Sequence, residues 1–221
     1  MPMLDGSWSP RIRQIGDLER QDHWYLTPEH SCYFFGEYTA RAGYSHSSTN
    51  QIIHNIKKRP SVQGTPQWQY KVRAMNQVAA AIRGAINHEA FGRVTLVPIP
   101  PSKLRTDPEY DGRMATIARA VSPQIDVREL VEPVAARCTM HESDQRLNPE
   151  ELLATLGLQE QLGNPAPQEI FLIDDVITTG CSFVACRTLL QQRYPGVPIS
   201  GIFAARRALD HTDDFTALTA A

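Results

Sequence analysis

Residues 170–183 read IFLIDDVITTGCSF, which is the most informative stretch of the chain. Its first four residues form a short apolar run, which is typical of a buried strand. Two adjacent acids, Asp174 and Asp175, follow the run, and a Thr-Thr-Gly turn comes two residues later. Ser182 stands where the next segment begins to read as a helix. The stretch therefore predicts a strand, a tight turn and a helix in direct succession.

Each part of this stretch has a chemical use in holding a phosphorylated sugar. Carboxylates accept hydrogen bonds from neighbouring hydroxyl groups, such as those of a ribose. Gly180 has no Cβ to block the approach of an anion to the backbone of the turn, and the N-terminus of a helix favours a phosphate. Thr178, Thr179 and Ser182 add hydroxyl groups. The pattern predicts one loop that holds a sugar phosphate by both ends, and the alternative is an ordinary strand, a capped helix and a solvent-exposed acid pair.

The stretch resembles the motif with which type I phosphoribosyltransferases bind 5-phosphoribosyl-1-pyrophosphate (PRPP). That motif consists of an apolar strand, two acids, two apolar residues, Thr-Thr-Gly, a small residue, and Ser or Thr. The resemblance implies a fold with a mostly parallel twisted sheet flanked by helices and a small N-terminal hood or arm. It also implies that PRPP is bound by Asp174, Asp175, Val176, Ile177, Thr178, Thr179, Gly180, Cys181 and Ser182.

Strand and helix patterns alternate along the rest of the chain. Apolar runs at 94–99 and 198–205 predict two further strands. Helical spacing of apolar residues marks four segments, at about 47–58, 69–87, 114–121 and 182–193. This alternation is typical of an α/β domain with a mostly parallel sheet. An aromatic stretch at 33–38, followed by Gly43, predicts a hairpin.

The order of these segments resembles the ComF-like branch of the same family. In that branch a strand reading Val-Pro-Val-Pro leads into a basic loop, and here LVPIPPSKLR stands at 96–105. The resemblance places the pyrophosphate of PRPP beside this loop, with Lys103 and Arg105 offsetting the charge of the leaving group. The family often carries Arg-x-x-Asn in a flexible loop that closes over the site, and QRLN at 145–148 implies that role for Arg146.

Two features depart from the family pattern. No counterpart of the family's cysteine-rich zinc module is present, and residues 1–45 instead predict an arm and hairpin that serve as a hood or a partner surface. Residues 46–221 are then the phosphoribosyltransferase-like domain. The basic loop continues with TDPEY at 106–110, where the family is usually richer in Arg. The acceptor is therefore not predicted from the family.

Composition excludes several classes of protein. The 221 residues include 22 Lys and Arg against 24 Asp and Glu, whereas a protein that coats nucleic acid usually has a large positive surplus. No apolar run approaches the roughly 20 residues that cross a bilayer, and the first thirty residues lack the apolar core of a secretory signal. Four cysteines without a CxxC pair fit neither a zinc ribbon nor a disulfide framework. We expect a cytoplasmic protein without membrane or nucleic-acid partners.

The resemblance implies an enzyme, a Mg²⁺-dependent phosphoribosyltransferase. Its substrates would be PRPP and a nitrogenous base or related acceptor, and Asp174 and Asp175 would hold the ribose hydroxyls. The Mg²⁺ is expected on PRPP, with contact to one of these acids through water, and not in a metal site made by the protein. A homodimer is the default expectation for oligomeric state. One alternative is a non-catalytic PRPP or nucleotide sensor of the same fold, and a toxin or defence effector that consumes nucleotides is another.

Overall fold

A computed structural model describes residues 7–134 and 147–209, which form eight strands. The strands are β1 (Arg13–Gln14), β2 (Cys32–Thr39), β3 (Val94–Pro98), β4 (Asp126–Val127), β5 (Val131–Pro133), β6 (Leu156–Leu158), β7 (Glu169–Ile177) and β8 (Ile199–Ala208). Six of them form one sheet in the order β1-β2-β8-β7-β3-β4, and β5 and β6 form a separate antiparallel pair.

Six α-helices and three short 3₁₀ helices connect these strands within the described residues. The α-helices are α1 (Asp17–Arg20), α2 (Ser48–Ile56), α3 (Trp68–Ala85), α4 (Arg113–Val121), α5 (Pro149–Leu153) and α6 (Cys181–Arg193). The 3₁₀ helices are Pro60–Val62, His88–Ala90 and Glu160–Leu162. None of the helices in the described part of the chain has both the length and the apolar character needed to span a membrane.

The main sheet is parallel except at one edge. Strands β2, β8, β7, β3 and β4 pair in parallel, and only β1 runs antiparallel, against β2. The prediction of an α/β fold with a mostly parallel sheet flanked by helices is thus confirmed. Because parallel strands point the same way, the carboxyl ends of β2, β8, β7 and β3 meet at one edge, where ligands bind in open α/β sheets.

Strand β7 lies inside the sheet and is covered on both faces. Ile170 and Leu172 face the apolar cluster beneath α6, whereas Phe171 and Ile173 face the cluster formed with α2, α3 and α4. A strand buried on both faces reads as a continuous apolar run and not as an alternation. This is the physical reason for the run at 170–173, and it fixes the two acids that follow at the carboxyl edge.

The hairpin predicted for residues 33–44 is wrong. The aromatic stretch is the single strand β2, which pairs in parallel with β8 and places Phe34 opposite Phe203. Phe34 and Phe35 are both buried, one in each of the two apolar clusters. Gly43, with a φ of +82°, belongs to the turn that leads into α2. The aromatic residues therefore indicate an interior strand, and the boundary predicted at residue 45 stays a prediction.

Candidate functional site

A cleft of about 1340 Å³ opens at the carboxyl edge of the sheet. Its walls come from the ends of four neighbouring strands, β3, β7, β8 and β2, together with Tyr25 from the N-terminal segment and Asn148 beside α5. Both acids of β7 and most of the loop after them line the cleft. The fold therefore gathers residues from distant parts of the chain around the motif at 170–183.

Asp175 is buried and held by two cations. Arg113 donates to its Oδ2 from Nε at 2.8 Å and from Nη2 at 2.6 Å, and the Lys57 ammonium lies 3.3 Å from Oδ1. Burial alone would raise the pKa of this carboxyl, but the charges of Lys57 and Arg113 outweigh burial and hold the pKa below its usual value. Asp175 is therefore ionised, and both of its oxygens already have partners.

Asp174 differs from its neighbour although the sequence presents the two acids alike. Its side chain lines the cleft and keeps partial contact with solvent. Oδ1 accepts a hydrogen bond of 2.7 Å from the backbone N–H of Asp175, and no described group donates to Oδ2. Burial, followed by the negative charge of Asp175, raises the pKa of Asp174 to about 7. Asp174 is thus the carboxyl that has hydrogen-bonding capacity left for a ligand.

The ion pairs at Asp175 continue into a buried network. Arg113 also donates from Nη1 to Oδ2 of Asp111, at 3.0 Å. The same oxygen accepts from Lys71 at 2.6 Å, and the Lys71 ammonium donates to the carbonyl of Lys58. Burial lowers the pKa of Lys71, although Asp111 opposes that shift. Because the network joins α2, α3, α4 and β7, it fixes the position of the acid pair.

The turn after β7 is built on a glycine that the geometry requires. Gly180 has a φ of +86°, a conformation that side chains with a Cβ rarely adopt. A Cβ at this position would also lie 2.8 Å from Cδ2 of Leu26. Thr179 is buried, and its Oγ1 accepts from the backbone N–H of Cys181 at 3.3 Å. The turn delivers the chain into the N-terminus of α6 at the floor of the cleft.

The N-terminal segment supports this turn from outside. The backbone N–H of Tyr25 donates to the carbonyl of Thr179 at 3.0 Å. The fully buried His23 ring contacts the carbonyl of Thr178 through Nδ1. Since a carbonyl only accepts, Nδ1 carries the proton. Burial lowers the pKa of His23, which favours this neutral ring.

The basic residues predicted for the pyrophosphate have carboxylate partners in the structure. Arg105 lines the cleft and pairs with Glu129. Lys103 lies outside the lining and pairs with Asp107, at 3.3 Å. Asp107 belongs to the TDPEY segment that departs from the family pattern. Asp107 and Glu129 thus already form ion pairs with the two basic residues that were predicted to bind the pyrophosphate.

The remaining predicted residues lie in the cleft lining, beside it, or outside the described residues. Thr178, Cys181, Ser182 and Val176 line the cleft, whereas Ile177 is core and Gly180 lies beneath the surface. Arg146 lies outside the described residues. No group of three or more potential metal ligands occurs among residues 7–134 and 147–209.

Sequence reasoning missed Lys57 and the cleft wall made by β2 and β8. Lys57 is close to Asp175 only because α2 packs beside β7. Tyr38, Arg41 and Arg207 also line the cleft. No local pattern marks them, since the pairing of β2 with β8 joins segments almost 170 positions apart.

Comparison with known proteins adds no family assignment. No protein-family model matches the sequence, and a search of curated proteins finds no significant match. The class of protein that can be stated from the fold and the site is an α/β protein with a six-stranded, mostly parallel sheet and a polar cleft at its carboxyl edge.

Proposed function

We propose that this protein is a type I phosphoribosyltransferase of the ComF-like kind, which binds PRPP in the cleft at the carboxyl edge. One observation carries the proposal. The succession of buried strand, acid pair, Thr-Thr-Gly turn and helix N-terminus opens into a cleft that is large enough for PRPP and an acceptor. Each part of this loop has a partner in a ribose 5-phosphate, since hydroxyl groups suit the acids and the phosphate suits the helix N-terminus.

The two acids have separate roles in this proposal. Asp174 accepts hydrogen bonds from the ribose hydroxyls, because it faces the cleft and its Oδ2 receives no bond from the described residues. Asp175 acts as a positioning residue, since Lys57 and Arg113 occupy its oxygens. The 5-phosphate lies against the turn and the start of α6, where Thr178 and Ser182 line the cleft.

The donor groups fit a Mg²⁺ that is bound chiefly by the substrate. Mg²⁺ commonly binds through one or two carboxylates together with phosphates and water, and Asp174 lines the cleft with a carboxylate whose Oδ2 receives no bond from the described residues. The ion would neutralise charge on the departing pyrophosphate. Arg105 would add a positive charge beside the strand end of β3. The protein's own contribution is to orient the ribose and stabilise charge, which needs no enzyme nucleophile.

A non-catalytic PRPP sensor is the second candidate, and the basic loop favours it. Lys103 and Arg105 already pair with Asp107 and Glu129, so the described residues leave few free cations for a leaving pyrophosphate. A sensor needs only the loop after β7 and a partner that responds to its occupancy. In this case PRPP binds tightly but is not consumed.

Calorimetric titration with PRPP and Mg²⁺ tests the common part of both proposals. We expect Asp174→Asn and Ser182→Ala each to weaken binding by roughly 10- to 100-fold, as expected for losing a hydrogen bond to a charged group. Asp17→Asn is the matched control, because that carboxylate is exposed at the N-terminus of α1 and does not line the cleft. Unchanged affinity in both site variants would overturn the assignment.

Pyrophosphate release then separates the enzyme from the sensor. The wild-type protein is mixed with PRPP, Mg²⁺ and a broad panel of bases, and released pyrophosphate is measured. Release that depends on an added base supports the transferase. Tight PRPP binding with no release from any member of the panel supports the sensor.

A further inference from the structure

The end of the cleft formed by β2 and β8 carries two arginines without acidic partners among the described residues. Arg41 and Arg207 both line the cleft, and neither forms an ion pair within residues 7–134 and 147–209. The other cations of the lining, Lys57, Arg105 and Arg113, all pair with carboxylates. The uncompensated positive charge of the cleft is therefore concentrated at this one end.

The alternation of β8 separates Arg207 from its neighbour. Arg206 pairs with Asp22 at 2.9 Å and with Glu37 at 3.0 Å. Consecutive side chains of a strand point to opposite faces, so Arg207 lies on the other face, in register with Tyr38 of β2. Its Nε is buried and has no hydrogen-bond partner among the described residues. A buried donor of this kind favours an anionic acceptor that completes its hydrogen bonding.

Arg41 reaches the cleft through an unusual backbone conformation. Its φ is +67°, which makes it the one residue other than glycine with a positive φ in the described part of the chain. Such strained residues concentrate at functional sites. Tyr25 and Tyr38 also line the cleft, with Tyr38 in register with Arg207, and Tyr25 is tied to the turn through its backbone bond to Thr179. The cleft thus offers two aromatic residues together with the two cations.

The direction of the proposed reaction places the acceptor here. Strand β7 lies between β3 and β8 in the sheet, so a ribose held after β7 has the β3 loop on one side and the β8 end on the other. The lone pair of the acceptor nitrogen forms the bond to C1 while the C1–O bond to pyrophosphate breaks and its electrons leave with pyrophosphate. Where the nitrogen carries a proton, as in an amine or a ring N–H, that proton passes to solvent. Because the acceptor approaches opposite the leaving group, a pyrophosphate beside β3 requires an acceptor beside β8 and β2.

We propose that the acceptor is a planar nitrogen compound that carries a carboxylate, bound by Arg207 and Arg41 and stacked against Tyr25 or Tyr38. The inference rests on the proposed function and adds the substrate class to it. The planar guanidinium group matches a carboxylate with two parallel hydrogen bonds, and aromatic side chains accommodate a flat ring. Neutral bases would leave both arginines without a counter-charge from the described residues or from the ligand.

The test compares acids with their neutral analogues. Orotate is paired with uracil, nicotinate with nicotinamide, and anthranilate with aniline, each with PRPP and Mg²⁺ present. Equilibrium binding and pyrophosphate release are both measured on the full chain. We expect at least one acid to bind roughly 10- to 100-fold more tightly than its neutral analogue, as for a charge-assisted contact.

Variants assign that preference to the two arginines. Arg207→Gln and Arg41→Gln should each reduce the preference for the acid by about tenfold or more while changing PRPP affinity less than threefold. Arg207→Lys keeps the charge but not the planar geometry, so it should restore part of the preference. Arg93→Gln is the matched control, because Arg93 is exposed and lies outside the cleft lining. Tyr38→Ala should weaken acids and neutral analogues alike.

The outcomes separate this inference from the proposed function. If PRPP binds but no acid is preferred, or if the preference survives both glutamine variants, the acceptor inference is wrong and the proposed function stands. If Arg207→Gln weakens PRPP as strongly as it weakens the acid, the arginines bind PRPP itself and the inference is again wrong. If the wild-type protein does not bind PRPP, the proposed function fails and the acceptor inference fails with it.

Discussion

Adjacent carboxyls with opposite effects on stability provide the sharpest test of the site geometry. Burial and the charge of Asp175 raise the pKa of Asp174 from 3.8 to about 7. A carboxyl whose pKa is higher in the folded than in the unfolded protein destabilises the fold when it ionises. The penalty is absent below the unfolded pKa, grows as the pH rises, and is complete above the folded pKa. Asp174→Asn should therefore stabilise the ligand-free protein near pH 8 and have little effect near pH 4.

The magnitude follows from the size of the pKa difference. A change from 3.8 to about 7 corresponds to about 4 kcal/mol at 1.36 kcal/mol per pKa unit. Asp174 keeps some contact with solvent, so we expect roughly half of this, about 2 kcal/mol, to appear as added stability. The asparagine Oδ1 can still accept the hydrogen bond from Asp175, so the substitution removes the charge without breaking the backbone contact.

Asp175→Asn is the matched comparison and should act with the opposite sign. The pKa of Asp175 is lowered by Lys57 and Arg113 against the effect of burial, so its ionised form stabilises the fold above the unfolded pKa and this contribution is lost in acid. Removing the charge takes one of two carboxylate partners from Arg113 and breaks the ion pair with Lys57, and should cost about 3 kcal/mol near neutral pH. Urea unfolding of both variants from pH 4 to pH 8 measures the two effects. Equal signs for the two variants, or a gain from Asp174→Asn that does not change with pH, would refute this account of the acid pair.

Three further predictions address the turn, the buried network and the ligand. Gly180→Ala should destabilise the protein by about 2–3 kcal/mol in thermal unfolding, whereas Gly196→Ala, with a similar positive φ but open space around its Cβ, should cost only about 1 kcal/mol. Equal costs would show that close packing at the turn is unimportant. Lys71→Met should lower the free energy of unfolding in urea by about 2 kcal/mol because it removes the buried ammonium group that donates to the partly buried Asp111, which keeps Arg113, and an unchanged value would contradict the network. PRPP binding near pH 7 should release about half a proton, measured by calorimetry in buffers of different ionisation enthalpy, because hydroxyl donors lower the pKa of Asp174; no difference between wild type and Asp174→Asn would contradict that role.

Local features of the sequence predicted the centre of the fold well. The run at 170–173 is buried on both faces of the sheet, which makes it apolar throughout, and the glycine of the turn is required by its own backbone angle. Both signals lie within a dozen residues. The helix beginning after Ser47 was also predicted from a local pattern, the spacing of its apolar residues. Its start is fixed locally too, since the Ser47 hydroxyl accepts from the N–H of Asn50 three residues later.

The features that sequence reasoning missed depend on contacts between distant segments. Strand β2 was read as part of a hairpin because its partner β8 follows it by almost 170 positions. The difference between Asp174 and Asp175 has no local signal, because it arises from Lys57 directly after α2 and from Arg113 at the start of α4. A sequence pattern can thus identify an acid pair. Only the packed helices determine which acid is paired with cations of the protein and which one keeps hydrogen-bonding capacity for a ligand.

The ion-pair network explains how the fold can hold the Asp174 carboxyl where its ionised form is destabilised. Around the end of β7 the described residues place three cations, Lys57, Lys71 and Arg113, against the carboxyls of Asp111, Asp174 and Asp175. Asp175 and Asp111 form direct ion pairs with these cations. Asp174 lies beside the negative charge of Asp175 and forms no ion pair with the described residues. Replacing Asp174 by asparagine removes the cost of its ionisation and would stabilise the fold. A ligand with two hydroxyl donors would lower the same cost, and it would gain affinity by doing so. A destabilised group held by a stabilised frame is the usual balance between stability and activity, and under the proposed function Asp174, and not its neighbour, is the residue that binds the ribose.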